Sequence, residues 1–211
     1  MKYCENWDRI RGRHAAFWRG ERQGSCLFAV TAPADGAAYE EFPFPDDPEG
    51  RKAWWTDGEA IMRRYRSWFA STHYAGDAFP ILVHDLGPAG QAGFFEGAKP
   101  RFEGSVWFDP SLEDYRDLRF DEGSFLYRKT VDLARYYARE AHGDFVVAMP
   151  DTVGDADVLA HLRGPENFLL DMMDDPGAVK EALKTVQAVW DRVMGEVADA
   201  VTDNNDGGTS V

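Results

Sequence analysis

Apolar positions along this chain follow two rhythms. At helical spacing, Trp7, Ile10, His14, Phe17 and Trp18 form one side of residues 4–20, with Arg11, Arg13 and Arg19 opposite and Gly20 as a stop. The second rhythm is continuous. Cys26-Leu27-Phe28-Ala29-Val30-Thr31-Ala32-Pro33, Phe79-Pro80-Ile81-Leu82-Val83 and Phe145-Val146-Val147-Ala148-Met149 are short apolar runs, each followed by turn or polar residues. Such runs suit strands buried on both faces, as in a parallel sheet.

Helical patterns fill the spaces between these runs. Thr56 and Glu59 have capping-box spacing ahead of a face made by Ile61, Tyr65, Trp68 and Phe69. Residues 89–97 predict a short helix and 105–108 a minor strand. A long helix over 122–141 turns Phe125, Leu126, Leu133, Tyr136 and Tyr137 inward. Two more helices are predicted at 155–162 and 166–173. A final one starts at Asp175 and Pro176 and carries Val179, Leu183, Val186, Trp190, Val193, Val197 and Val201 on its stripe. Residues 34–52 are rich in Pro, Gly, Asp and Glu and predict a long loop. The order βαβαβα with buried strands is the α/β signature of right-handed crossovers on a parallel sheet.

Composition narrows the functional classes. Lys+Arg is 23 and Asp+Glu 37, a net charge of −14, which argues against nucleic acid and against anionic membrane surfaces. No apolar run approaches the ~20 residues of a bilayer span, and Met1-Lys2-Tyr3-Cys4-Glu5-Asn6 opens no signal peptide. A cytoplasmic location is the expectation. Cys4 and Cys26 make neither a disulfide framework nor a zinc motif, and neither has a nearby base to activate it. No Gly-rich phosphate loop and no GxSxG elbow occurs. The 211 residues are fewer than the ~250 of a closed eight-stranded barrel. Three buried strands followed by a polar, Gly-rich tail predict either a small open α/β domain or the front part of a barrel.

The stretches Trp54-Trp55-Thr56-Asp57-Gly58-Glu59, Gly76-Asp77-Ala78-Phe79-Pro80-Ile81-Leu82-Val83-His84-Asp85-Leu86-Gly87-Pro88, His161-Leu162-Arg163-Gly164-Pro165-Glu166-Asn167-Phe168 and Asp175-Pro176-Gly177-Ala178-Val179 together resemble the uroporphyrinogen decarboxylase superfamily, and more narrowly its decarboxylase-like branch. The resemblance runs in order along nearly the whole chain. It implies a (β/α)8 barrel with an N-terminal helical extension. On that reading residues 1–24 are the extension and 25–211 the N-terminal part of the barrel, about its first three to four βα units.

The superfamily holds two chemistries: cofactor-free decarboxylation of uroporphyrinogen, and methyl transfer between a corrinoid carrier and a thiol on a zinc held by His and Cys. The decarboxylases carry arginines after the first strand to hold substrate carboxylates. This chain has Val30-Thr31-Ala32-Pro33-Ala34-Asp35-Gly36 there, which counts against a polycarboxylate substrate because its charge would go unpaired. The resemblance places Asp85 where the decarboxylases use an Asp to accept pyrrole N–H bonds. It places the methyltransferase zinc ligands in the second half of the barrel, so zinc and a corrinoid partner are implied for the full-length protein and no metal ligand is assigned here.

Barrel active sites lie at the carboxyl ends of the strands. The candidates are therefore His84, Asp85 and Asp151 as catalytic residues, with Thr31 and Thr152 binding a small-molecule substrate. A carboxylate beside a histidine can orient it or tune it as acid or base. The competing reading is that Asp85 and Asp151 cap the segments that follow, since Asp and Thr are preferred caps. His14, His73, His142 and His161 read as structural, as do Trp54 and Trp55. The acidic segment 39–47 reads as a solvated loop rather than a lid.

Three functional expectations follow. The chain begins a decarboxylase-like or methyltransferase-like barrel enzyme, inactive by itself. Alternatively it is a non-catalytic module that pairs with a second barrel half through open strand edges. The third is a truncated product with no function of its own.

Overall fold

The computed structural model describes residues 1–21, 26–151 and 154–208. It is a mixed α/β structure with three two-stranded sheets and no closed barrel. Helix α1 (Trp7–Trp18) leads to strand β1 (Ala29–Pro33), helices α2 (Pro48–Thr56) and α3 (Gly58–Ala70), and strands β2 (Thr72–Gly76) and β3 (Ile81–Leu82). A 3-10 turn (Gly90–Phe94) and the hairpin β4 (Lys99–Phe102) and β5 (Val106–Asp109) precede helix α4 (Phe125–Ala141). Strand β6 (Val146–Val147) and helices α5 (Asp155–Arg163), α6 (Pro165–Asp174) and α7 (Pro176–Val201) complete it.

The parallel unit is β3–β6, with Ile81 opposite Val146 and Leu82 opposite Val147. Leu82, Phe145 and Val147 are buried with Phe69 from α3, Leu126 and Tyr137 from α4, and Val186 and Val193 from α7. Two of the three apolar runs thus contain the strands of the parallel unit, as their pattern predicts.

The first run is not. β1 is exposed at every residue and pairs antiparallel with β2, Thr31 opposite Tyr74 and Ala32 opposite His73. The expectation of three consecutive parallel strands is corrected to one parallel pair plus a separate ribbon. The physical reason lies at Asp77, whose carboxylate is 2% exposed. It accepts a bidentate pair of bonds from Arg13 of α1 and one from the Phe28 backbone N–H at 2.9 Å, while its own N–H donates to the Phe28 carbonyl at 2.7 Å. These bonds hold the start of β1 beside the end of β2, which fixes an antiparallel register. Gly76 must lie there because its φ is +68° and a Cβ would stand 2.1 Å from the Phe28 carbonyl oxygen.

Other boundaries shift locally. The predicted loop 34–52 ends early, since Asp47 caps α2 through the Gly50 N–H. Asp57, not Thr56, caps α3, accepting from Glu59 and Ala60. The minor strand near 105–108 gains a partner in β4. Among the described residues, no helix is long and apolar enough to cross a membrane.

Candidate functional site

The carboxyl ends of β3 and β6 lie side by side because the two strands run parallel in register. His84 and Asp85 leave β3, and Asp151 leaves β6 after Pro150. These three candidates share one end of the sheet. Thr31 does not join them, since it lies on the exposed β1–β2 ribbon. Thr152 lies outside the described residues.

His84 is 1% exposed. One ring nitrogen, Nε2, donates to the Thr130 carbonyl of α4 at 2.7 Å. A carbonyl oxygen only accepts, so Nε2 carries the proton and Nδ1 is a bare lone pair. Burial pushes the His84 pKa down to about 4, against a smaller opposing pull from the Thr130 carbonyl. The ring is neutral at pH 7, and Tyr137 meets it edge to face at 5.6 Å. Nδ1 is buried without a hydrogen-bond partner.

Asp85 faces the other way and keeps part of its surface in solvent. Its Oδ1 accepts from the Gly87 N–H at 2.6 Å, a turn-capping bond. Partial burial raises its pKa; the Gly87 bond opposes this and the charge of Asp151 adds to it. Asp85 therefore senses the Asp151 charge across the strand ends. Tyr65, which donates to the Val83 carbonyl at 3.2 Å, also feels the Asp85 charge.

Between these ends and helices α4 and α7 is a cavity lined by His84, Gly87, Gln91, Thr130, Asp151 and Met194 among others. Its free volume, about 10 Å³ open to the centre of a water-sized sphere, is that of a single small guest. Gln91 is 1% exposed and its Oε1, like His84 Nδ1, has no partner. Sequence reasoning assigned Gln91 no role. The signal was available: it is the single polar side chain in Leu86-Gly87-Pro88-Ala89-Gly90-Gln91-Ala92-Gly93-Phe94-Phe95, and a lone amide in an apolar segment must find partners when buried.

His14 and His161 have structural surroundings. His14 Nε2 bonds the Asp77 carbonyl at 3.0 Å and its ring meets Phe79 edge-on. His161 rests against Trp107 and Phe108. Cys4 is buried and Cys26 exposed, and neither is in a disulfide. Among the described residues, no group of three or more His, Cys, Asp or Glu side chains is placed to hold a metal ion.

No family model, no curated protein and no solved structure matches the chain.

Proposed function

We propose that this chain forms the N-terminal portion of a uroporphyrinogen decarboxylase-like (β/α)8 barrel enzyme that acts on a small molecule, nearer the methyltransferase-like branch than the true decarboxylases. The observation that carries the proposal is the pairing of Asp85 and Asp151 at the carboxyl ends of adjacent parallel strands, with the pKa of Asp85 raised by partial burial and by its neighbour. That end is where parallel α/β folds place ligands, and a carboxylate whose pKa is raised by burial and by a like charge suits acid–base work. In this reading Asp85 is the proton-transfer residue, Asp151 is the neighbouring carboxylate whose charge raises its pKa, and neutral His84 fixes the wall behind them. Zinc chemistry finds no ligand set among the described residues, so no step is derived through a metal.

The test is a turnover assay of the protein in its whole reading frame, with methylcorrinoid and thiol acceptors in one arm and porphyrinogens in the other. Turnover in either arm, reduced at least tenfold by Asp85→Asn, is expected. Failure of both arms over a broad substrate panel overturns the enzyme class.

A second reading, a module that pairs with another barrel half, is favoured by one observation. Leu169, Leu170, Met172 and Met173 of α6 are 59%, 58%, 40% and 81% exposed, an apolar surface of the kind that marks contacts. Sedimentation distinguishes the readings: a monomer at all concentrations removes the second.

A further inference from the structure

The cavity beneath Asp151 is lined by acceptors. His84 Nδ1 is a lone pair because its other nitrogen holds the proton against the Thr130 carbonyl. The Gln91 amide is oriented by the Val186 carbonyl, to which its Nε2 donates at 3.2 Å. Its oxygen is therefore the free end. The Thr130 hydroxyl gives its proton to the Leu126 carbonyl at 2.9 Å, so only its lone pairs remain. Asp151 adds an exposed carboxylate at the cavity edge. His84 and Thr130 have no N–H or O–H left to offer, and the His84 Nδ1 and Gln91 Oε1 acceptors are buried and unpartnered.

Unpartnered buried acceptors are costly. Their complement is a small guest made of donors. A water molecule has two hydrogens, and its own lone pairs would then face the Asp151 carboxylate. An ammonium group is water-sized, has no lone pair, and carries the charge opposite to Asp151.

We infer that the His84–Gln91–Asp151 cavity is a recognition site for an ammonium group, either the free ion or the primary ammonium head of a larger substrate. This ligand class rests on the reading of the strand ends as the functional site. Binding is measured apart from turnover, so a failure here leaves the reaction class standing, and a failure of the turnover assays leaves the site standing.

The test titrates the 211-residue chain at constant ionic strength with ammonium, methylammonium, tetramethylammonium or potassium chloride. Thermal midpoint and the ¹⁵N shift of the His84 ring nitrogens are followed together. Ammonium and methylammonium are expected to give a saturable rise in the midpoint and to shift the Nδ1 resonance as its lone pair accepts a bond. Tetramethylammonium, which has no N–H, and potassium are expected to do neither. Asp151→Asn, at an exposed position, is expected to keep the fold and weaken the ammonium response at least tenfold. A response to ammonium without methylammonium supports the free ion as the source. An equal response to potassium overturns the inference in favour of a plain cation site. No saturable response to any salt overturns it in favour of a water-filled cavity, and unchanged affinity in Asp151→Asn overturns the part given to the carboxylate.

Discussion

The side-chain amide of Asn205 pairs with both backbone groups of Val147: its Oδ1 accepts from the Val147 N–H at 3.0 Å and its Nδ2 donates to the Val147 carbonyl at 2.8 Å. The opposite edge of β6 is bound to β3, through Val146 N–H to the Pro80 carbonyl and Ala148 N–H to the Leu82 carbonyl. Asn205 therefore stands where a neighbouring strand would stand. Asn204 extends the match, donating to the Phe145 carbonyl and accepting from the Gly143 N–H. An edge strand is a template for unwanted pairing, and this edge is covered by two consecutive asparagines that follow the last helix.

Replacing Asn205 with Leu removes both bonds and leaves a buried donor and acceptor of Val147 without partners. At roughly 1 kcal/mol for each bond, we expect a loss of about 2 kcal/mol, read as a lower urea midpoint with unchanged slope. Asn205→Asp keeps the acceptor and loses the donor, and should fall between wild type and Asn205→Leu at neutral pH. Equal stability of all three proteins would show that the edge does not need the amide.

His84 makes stability depend on pH with a definite sign. Its folded pKa of about 4 lies below the ordinary histidine value of 6.5. As pH falls through 6.5 the unfolded chain takes up a proton that the folded chain refuses, so stability declines until pH reaches about 4. At 1.36 kcal/mol per pH unit this window amounts to on the order of 3 kcal/mol. Urea denaturation at pH 4.5 and pH 7 should show the decline, and His84→Gln should flatten that part of the profile. A variant profile parallel to wild type would place the titration elsewhere.

The fold and the site were legible to different degrees. The runs around Leu82 and Val147 announced themselves because strands buried on both faces leave no polar alternation. The same logic failed at Val30, where a run of small residues lies on an exposed ribbon. What decided its partner was Asp77, an isolated carboxylate whose bonds to Arg13 and Phe28 join segments far apart in sequence. Asp85 and Asp151 could be placed from strand order. Gln91 could not, because its meaning depends on packing against α7. His84 was readable as a strand-end histidine, but its tautomer and depressed pKa come from Thr130 of α4.

Gly87 ties the site turn to the hairpin. Its φ is +80°, and a Cβ there would lie 2.6 Å from the Val106 carbonyl oxygen and 2.9 Å from the Val106 nitrogen. Both atoms are backbone and cannot swing aside. Gly87→Ala therefore meets left-handed strain of ~1 kcal/mol as well as a steric clash, and should cost about 2–4 kcal/mol. Because the Gly87 N–H also caps Asp85, circular dichroism and the ¹³C shift of the Asp85 carboxyl should change together. A variant as stable as wild type would mean that the turn moves freely away from Val106.

The Asp77 carboxylate accepts two bonds from Arg13 and one from the Phe28 N–H. Arg13, first among its partners, holds its pKa well below the usual carboxylate range, with further help from the Phe28 N–H and the charge of His14 and against the opposing effect of burial. A depressed acid pKa stabilises the fold above the unfolded value near 4, and that contribution is lost as pH falls below it toward the folded value. Asp77→Asn keeps the shape, but it removes the charge and leaves the Arg13 guanidinium facing a neutral amide. With charge-assisted bonds contributing about 1.5–3 kcal/mol, we expect a loss of about 2 kcal/mol at pH 7 that shrinks progressively as pH falls below about 4. The β1–β2 ribbon should respond first, so its amide exchange should accelerate more than that of β3 and β6. Uniform acceleration across both sheets would show that the Arg13–Asp77 pair supports the whole core rather than the ribbon it joins to α1.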